Sequence, residues 1–451
     1  MGPTVPFRRD REDFGAPRPR GPGHPAAAAG RPASAVAAVA SDRRSGGRTA
    51  DAVKVVVAHN RYREALPSGE NAVVEQEMAQ LAAAGVGVVP LLRSSDEIAA
   101  LSPAGKALLP LSPIYAPRAQ RDLAALIVEH RPDVVHLHNP YPLLSPWVVR
   151  TAHRHGVPVV QTVHNYRQVC SSGLYFRDGH VCHDCRGRFV GVPAVVHRCY
   201  RDSRAQSALM ATTLAVHRPT WRSVDRYIAL TSAIADHLRD YGIPDDRIVV
   251  KPNAIADPGP PPAGPGDGFL FVGRLSAEKG LGLLLDAWRS HPDGALGPLR
   301  ILGDGEQRPL AEAAAAARTD VEYLGTADRT GVFAAMRAAA VIVVPSTWHE
   351  PLPTVVIEAM ASGRPVLATE VGGLPYLVGA ELPADERAGW VVPAEPGALA
   401  AALPAARTGA AGRAKAARAR YERTFHPDVV TRRLIEVYAG LRPPPPPPTS
   451  R

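Results

Sequence analysis

Short β-branched runs alternate with helical patterns twice along this chain, and that rhythm constrains the fold more than any other feature. Val53 to Ala58 reads as a buried strand, followed by the loop Pro67-Ser68-Gly69-Glu70 and a helix from Asn71 to about Ala84 that Gly85 closes. Val86 to Leu92, Val134 to His138, Val159 to Val163, Tyr227 to Leu230 and Ile248 to Lys251 are the next strands. The pattern restarts with Phe269 to Val272, Leu299 to Leu302, Val321 to Leu324, Val341 to Val344 and Val366 to Ala368, each followed by a helix. Strands separated by crossover helices form parallel sheets, so the reading is α/β: two doubly wound Rossmann-like domains facing each other across a cleft.

A chain of 451 residues has the length for two such domains. Residues 1–50 are Arg, Pro, Ala and Gly without a period, a composition expected to stay disordered. The first domain is read over 51–257 with a Cys-rich insertion at 166–200, the linker over 258–267, and the second domain over 268–425. A helix over 426–442, poised to pack back on the first domain, and a polyproline tail over 443–451 complete the chain.

The net charge of +9 sits unevenly, with +5 in residues 1–50 and +4 in all the rest. A nearly balanced folded part argues against a nucleic-acid partner. No apolar run reaches the length of a spanning helix, and the start lacks a convincing signal-peptide core. A cytoplasmic protein is the expectation, with the Arg-rich start suited to peripheral attachment at the inner face of the membrane.

In doubly wound sheets, ligands sit beyond the carboxyl ends of the strands. After Val272 comes Gly273-Arg274-Leu275-Ser276-Ala277-Glu278-Lys279-Gly280, with two cations at a helix entry, a pair suited to a diphosphate or to an ordinary solvated turn. After Val344 comes Pro345-Ser346-Thr347-Trp348-His349-Glu350-Pro351-Leu352-Pro353-Thr354, leading into a helix that carries Glu358 and runs to Gly363. Eight positions at about 100° each bring Glu358 within about 80° of the azimuth of Glu350, so both acids can face the cleft. Glu358 lies among Ile357, Ala359 and Met360, where a carboxylate needs a partner, and a ribose diol offers two donors.

These residues, together with Leu302-Gly303-Asp304-Gly305 and Tyr323-Leu324-Gly325, resemble glycosyltransferase family 4, whose members are retaining GT-B enzymes that use nucleotide-diphosphate sugars. The resemblance runs over roughly residues 54–440. It implies that Arg274 and Lys279 hold the diphosphate, that Glu350 contacts hydroxyls of the donor sugar and that Glu358 binds the ribose. It also implies that the loop at Ser68 and Gly69 closes over the donor phosphates, with Gly273, Gly303, Leu324, Leu352, Pro353 and Thr354 along the donor. His164, ending a strand at the cleft, matches a histidine often found near the donor sugar. The acceptor expected is a glycan, a lipid-linked sugar or a small molecule, most simply in envelope polysaccharide or glycoconjugate synthesis. In this class no protein nucleophile and no catalytic metal is needed, because the leaving diphosphate helps deprotonate the acceptor.

Cys170, Cys182, Cys185 and Cys199 all fall in the insertion, with Cys182-His183-Asp184-Cys185 forming a C-x2-C knuckle. A structural zinc and packed reduced thiols are both open readings. Two further functions stay in view: a GT-B sugar-nucleotide epimerase, and a nucleic-acid-binding module built on the cysteine cluster.

Overall fold

The structure, a computed structural model, describes residues 53–65 and 68–441. The expected N-terminal tail, Pro67 of the first loop and the polyproline end lie outside the described residues.

The first sheet is formed by β1 (Lys54–Arg61), β2 (Gly87–Ser94), β3 (Val134–Leu137) and β4 (Val159–Val163), with β7 (Arg226–Ala229) and β8 (Ile248–Val250) after a small antiparallel hairpin, β5 (Phe176–Arg177) and β6 (His180–Val181). All six strands are parallel, in the order β2-β1-β3-β4-β7-β8. Every residue of β3 and β4 is buried, as expected for strands covered on both faces by helices. The second sheet comprises β9 (Phe269–Val272), β10 (Leu299–Leu302), β11 (Val321–Gly325), β12 (Val341–Val344), β13 (Val366–Thr369) and β14 (Gly389–Val392), in the order β11-β10-β9-β12-β13-β14. It too is all parallel. The architecture is that of a GT-B protein.

Each order reverses once, between β1 and β3 in the first sheet and between β9 and β12 in the second. A crevice opens at such a switch point, because the loops on either side run to opposite faces of the sheet. The loops after β9 and β12 are those that carry Arg274, Lys279 and Glu350.

Elements differ from the sequence reading in definable ways. β1 runs past Ala58 through His59, Asn60 and Arg61. Their polarity reads as a loop, but Asn60 Nδ2 donates to Ser95 Oγ at 3.1 Å and Asn60 Oδ1 accepts from Leu143 N–H at 3.1 Å. The helix placed from Asn71 starts at Gly69, capped by Ser68, whose hydroxyl accepts from Asn71 N–H at 3.4 Å. β14, as long as β12 but opened by Gly389, and the two-residue strands of the hairpin do not announce themselves.

The last helix, Pro427–Ala439, lies on the first sheet, where Leu434 and Tyr438 join a buried cluster with Val55, Val57, Val74, Leu81 and Ile228. Tyr438 Oη reaches His136 Nδ1 at 2.6 Å. The segment after β8 is tied to the second domain by Arg418 Nη2 on Asp257 Oδ2 at 2.6 Å and Arg364 Nη1 on the Gly264 carbonyl at 3.0 Å.

Candidate active site

A cavity of about 630 Å³ lies between the two sheets. From the first domain its walls are Gly69, Glu70, Val73, His164, Leu230 and Asn253. From the second they are Gly273, Arg274, Lys279, Arg329, Phe333, Trp348 and the stretch from Glu350 to Val355, with Glu358 behind it. Arg274, Lys279, Glu350 and His164, the four residues singled out for chemistry, therefore share one cavity. So do Gly69, Gly273, Leu352, Pro353, Thr354 and Glu358 of the donor set.

Three members of that set are elsewhere. Ser68 caps its helix, outside the walls. Gly303 lies behind Gly273: a Cβ there would meet the Gly273 carbonyl oxygen at 1.8 Å, so the residue allows two loops to touch, and it is not among the cavity walls. Leu324 is 43% exposed, because the alternation of β11 turns it to solvent with Glu322.

The two loops at the second switch point are fastened together. Gly280 has φ +76°, and a side chain there would strike the Pro345 carbonyl oxygen. Thr347 N–H donates to the Glu278 carbonyl at 2.9 Å, and Gly373 N–H to the Glu350 carbonyl at 2.8 Å. The result is that Lys279 Nζ pairs with Glu350 Oε1, while Ser346 Oγ donates to Glu350 Oε2 at 2.8 Å. Glu350 is buried and both of its oxygens are engaged. The helix Thr354–Ala361 begins beside them with no side-chain cap, so its first N–H groups are available to an anion.

Glu358 has 12% of its side chain exposed, and burial raises its carboxyl pKa against the opposing pull of Arg329, whose Nη1 lies 3.3 Å from Oε1. Arg329 was missed in the sequence, where it is one arginine among many at a helix start. Glu70 was missed as a charge. Its Oε2 accepts from Tyr62 Oη at 3.3 Å, its Oε1 is buried without a partner, and burial lifts its pKa to about 7 despite nearby Arg167. The folded state thus binds this proton more tightly than the unfolded chain does. The resulting stabilisation is present below about pH 4.5 and is lost as pH rises to about 7. Glu70→Gln is expected to stabilise the unliganded protein by about 1–2 kcal/mol at pH 8 and to leave it unchanged at pH 5. Thermal melts at the two pH values check this, and equal shifts would refute it.

Comparison with known proteins places this geometry. Residues 68–254 match the family model of the glycosyl transferase 4-like domain, and residues 266–406 match that of the glycosyl transferases group 1. The chain belongs to glycosyltransferase family 4, group 1. It is 29% identical over 279 residues to D-inositol 3-phosphate glycosyltransferase of Jonesia denitrificans, covering 58% of this chain and 60% of that one. It is 27% identical over 305 residues to phosphatidyl-myo-inositol mannosyltransferase of Mycobacterium leprae, covering 64% and 68%. Among solved structures, the Anabaena protein HepE in complex with UDP superposes with a TM-score of 0.55 at 16% identity, over 86% of this chain and 100% of that one. The chain thus spans about 60% of the length of the Jonesia relative, and the last likeness is one of fold.

Proposed function

We propose that this protein is a retaining glycosyltransferase that moves a sugar from a nucleoside-diphosphate sugar to a hydroxyl group of a glycan, glycolipid or small molecule. The observation that carries the proposal is the single cavity whose walls bring Arg274, Lys279, Glu350 and Glu358 together beside an uncapped helix start. Arg274, Lys279 and the N–H groups after Pro353 neutralise the diphosphate as it leaves, Glu350 orients the sugar, and Glu358 takes the ribose hydroxyls. Glu350 is committed to Lys279 and Ser346, which disfavours it as a nucleophile and supports attack on the face the diphosphate leaves. Charge neutralisation by side chains makes catalysis independent of a divalent ion in this reading. Both relatives above are named for inositol derivatives, so a ring polyol is the first acceptor to try. Turnover of a panel of UDP-, GDP- and ADP-sugars, with and without such acceptors, tests the proposal. Release of nucleoside diphosphate with the donor's anomeric configuration kept in the product is expected. Inverted product, or epimerised sugar nucleotide without transfer, would overturn it.

The same reading gives the four cysteines a structural zinc. Cys170, Cys182, Cys185 and Cys199 line one small cavity, and Arg177 beside them has Nη1 buried without a partner. Burial pushes the Cys185 thiol up to about 11, so zinc binding would have to displace its proton. The thiols must draw together to bind, since among the described residues the trio of ligand atoms within 4.8 Å of one another is Glu77, His136 and His138. Protein purified without chelator should carry about one zinc per chain and lose stability when stripped. Metal-free protein with all four thiols freely reactive contradicts this.

Peripheral membrane association also belongs to the proposal. No helix among the described residues is long and apolar enough to cross a membrane. In the insertion Phe189, Val192 and Val196 are 68%, 56% and 57% exposed, flanked by Arg188 and Arg198, a combination that suits an anionic lipid surface. Salt-sensitive co-sedimentation with phosphatidylglycerol vesicles is expected, and its loss in Phe189→Ser/Val192→Ser checks the surface.

A further inference from the structure

Behind the cavity wall, three buried side chains of the first domain converge without satisfying one another. Glu77 lies on the helix Gly69–Ala83. His136 is on β3 and His138 comes two positions later on the extended chain, so both imidazoles take one face, with ring centroids 4.2 Å apart. Glu77, His136 and His138 are 9%, 0% and 3% exposed. One ligand atom from each lies within 4.8 Å of the other two. Glu77 Oε1 stands 3.3 Å from His136 Nδ1 and 3.3 Å from His138 Nε2. Yet Glu77 Oε1 and His138 Nε2 are both buried without a hydrogen-bond partner. Buried polar atoms are rarely left so, and two that face each other call for something between them.

The spacing is that of a zinc shell. Zinc–nitrogen and zinc–oxygen bonds of about 2.0–2.1 Å at tetrahedral angles put neighbouring ligand atoms about 3.3 Å apart. Two imidazoles and a carboxylate are a donor set that zinc takes. The outer atoms are arranged for it as well. Zinc on His136 Nδ1 leaves the ring proton on Nε2, which lies 2.8 Å from Thr162 Oγ1. Zinc on His138 Nε2 leaves the proton on Nδ1, which lies 2.9 Å from His164 Nε2. Lys251 Nζ donates to Glu77 Oε2 at 3.0 Å, so that Oε1 is the oxygen turned to the histidines. Each ligand thus has its second polar atom held, as metal ligands usually do. Tyr438 Oη, 2.6 Å from His136 Nδ1, is placed to turn from that nitrogen to the fourth position.

We propose that Glu77, His136 and His138 bind one zinc ion, with Tyr438 supplying the fourth donor. The ion is structural. It ties the last helix, which carries Tyr438, to the first sheet, and through His138 it braces His164 at the cavity wall. The site is separate from the cysteine cluster, whose donors are sulfur, and it stands whether or not the protein transfers sugars. Lys251 has two effects on it: the ammonium holds Oε2 in place, and its charge opposes an incoming dication.

Zinc content and zinc X-ray absorption, read on full-length Cys182→Ser/Cys185→Ser protein from zinc-supplemented medium, test the proposal without the cysteine knuckle. About one zinc per chain is expected, with nitrogen and oxygen neighbours at about 2.0–2.1 Å, imidazole scattering, and no sulfur at about 2.3 Å. Glu77→Gln on this background should lower zinc occupancy at least about tenfold. Glu77→Gln/Lys251→Met leaves no unpaired buried ammonium and serves if the single change fails to fold. Lys251→Met alone, with Glu77 kept, should hold its zinc against about tenfold more chelator, because the opposing charge is gone. If the cysteine variant does not fold, the wild type is read in its place, and Glu77→Gln should remove the nitrogen and oxygen shell while leaving any sulfur shell intact. Folded protein without zinc, a shell of sulfur alone, zinc retained in both Glu77 variants, or no gain in retention in Lys251→Met would overturn the proposal.

Discussion

Lys279→Ala is expected to lower kcat/KM for the sugar nucleotide by about 10²–10³-fold, the usual cost of removing one fixed donor from developing negative charge. The ammonium is held at the cavity wall by Glu350, so it is in place before the diphosphate arrives and needs no reorganisation to meet it. Its removal also leaves the Glu350 carboxylate with Ser346 as its remaining partner, in a pocket where a second negative charge must bind. The variant should therefore bind nucleoside diphosphate more weakly as well as react more slowly. Lys279→Arg restores charge but not shape, since a planar fork replaces a point donor, and should recover only part of the loss. Thermal melts establish that the variants fold. Activity within a factor of about two of wild type would remove Lys279 from the mechanism.

Most of the fold was legible because parallel strands buried on both faces are written as continuous β-branched runs. Val341-Ile342-Val343-Val344 and Val159 to Val163 need no tertiary information to be recognised. The reading stopped where polarity and strand coincide. His59, Asn60 and Arg61 extend β1 because their backbone pairs with Leu92, Arg93 and Ser94 of β2, while Asn71, Ser95 and Leu143 satisfy the His59 and Asn60 side chains. Gly389-Trp390-Val391-Val392 opens on a glycine, which weakens its strand signal, and its pairing with β13 completes the sheet edge.

The cavity residues were legible for a related reason. A switch point puts functional side chains in the first loop after a strand, so Arg274, Lys279 and Glu350 could be found by position. Nothing local marks Glu77, which reads as one more acid on a helix. Its neighbours Lys251 and His138 come from other elements, Lys251 being 174 residues away. Glu70 was visible only as a loop residue, because its raised pKa arises from burial beside Tyr62 and Arg167, the latter distant in sequence.

Glu358→Ala and Glu350→Ala are expected to fail in different ways. In the proposed reading Glu358 accepts from the ribose, which every nucleotide ligand shares, and losing two charge-assisted bonds costs about 1.5–3 kcal/mol. Nucleoside diphosphate affinity should fall about 10- to 150-fold. Because burial raises the Glu358 pKa, wild-type affinity should also decline on acidification from a higher pH than an ordinary glutamate would give: the acceptor carboxylate is lost as pH falls through the raised value. Glu350 pairs with Lys279 and, in the proposed reading, touches the sugar and not the nucleotide. Removing it takes a negative charge away from the place where the phosphates bind, so nucleoside diphosphate binding should hold or tighten while turnover of the full donor drops.

Calorimetry of both variants with nucleoside diphosphate and with sugar nucleotide is the most direct test of where the donor lies. The account predicts a loss with both ligands in Glu358→Ala, and in Glu350→Ala no loss for the diphosphate but impaired binding of the sugar nucleotide. Equal losses of diphosphate affinity in the two variants, or none in either, would contradict it.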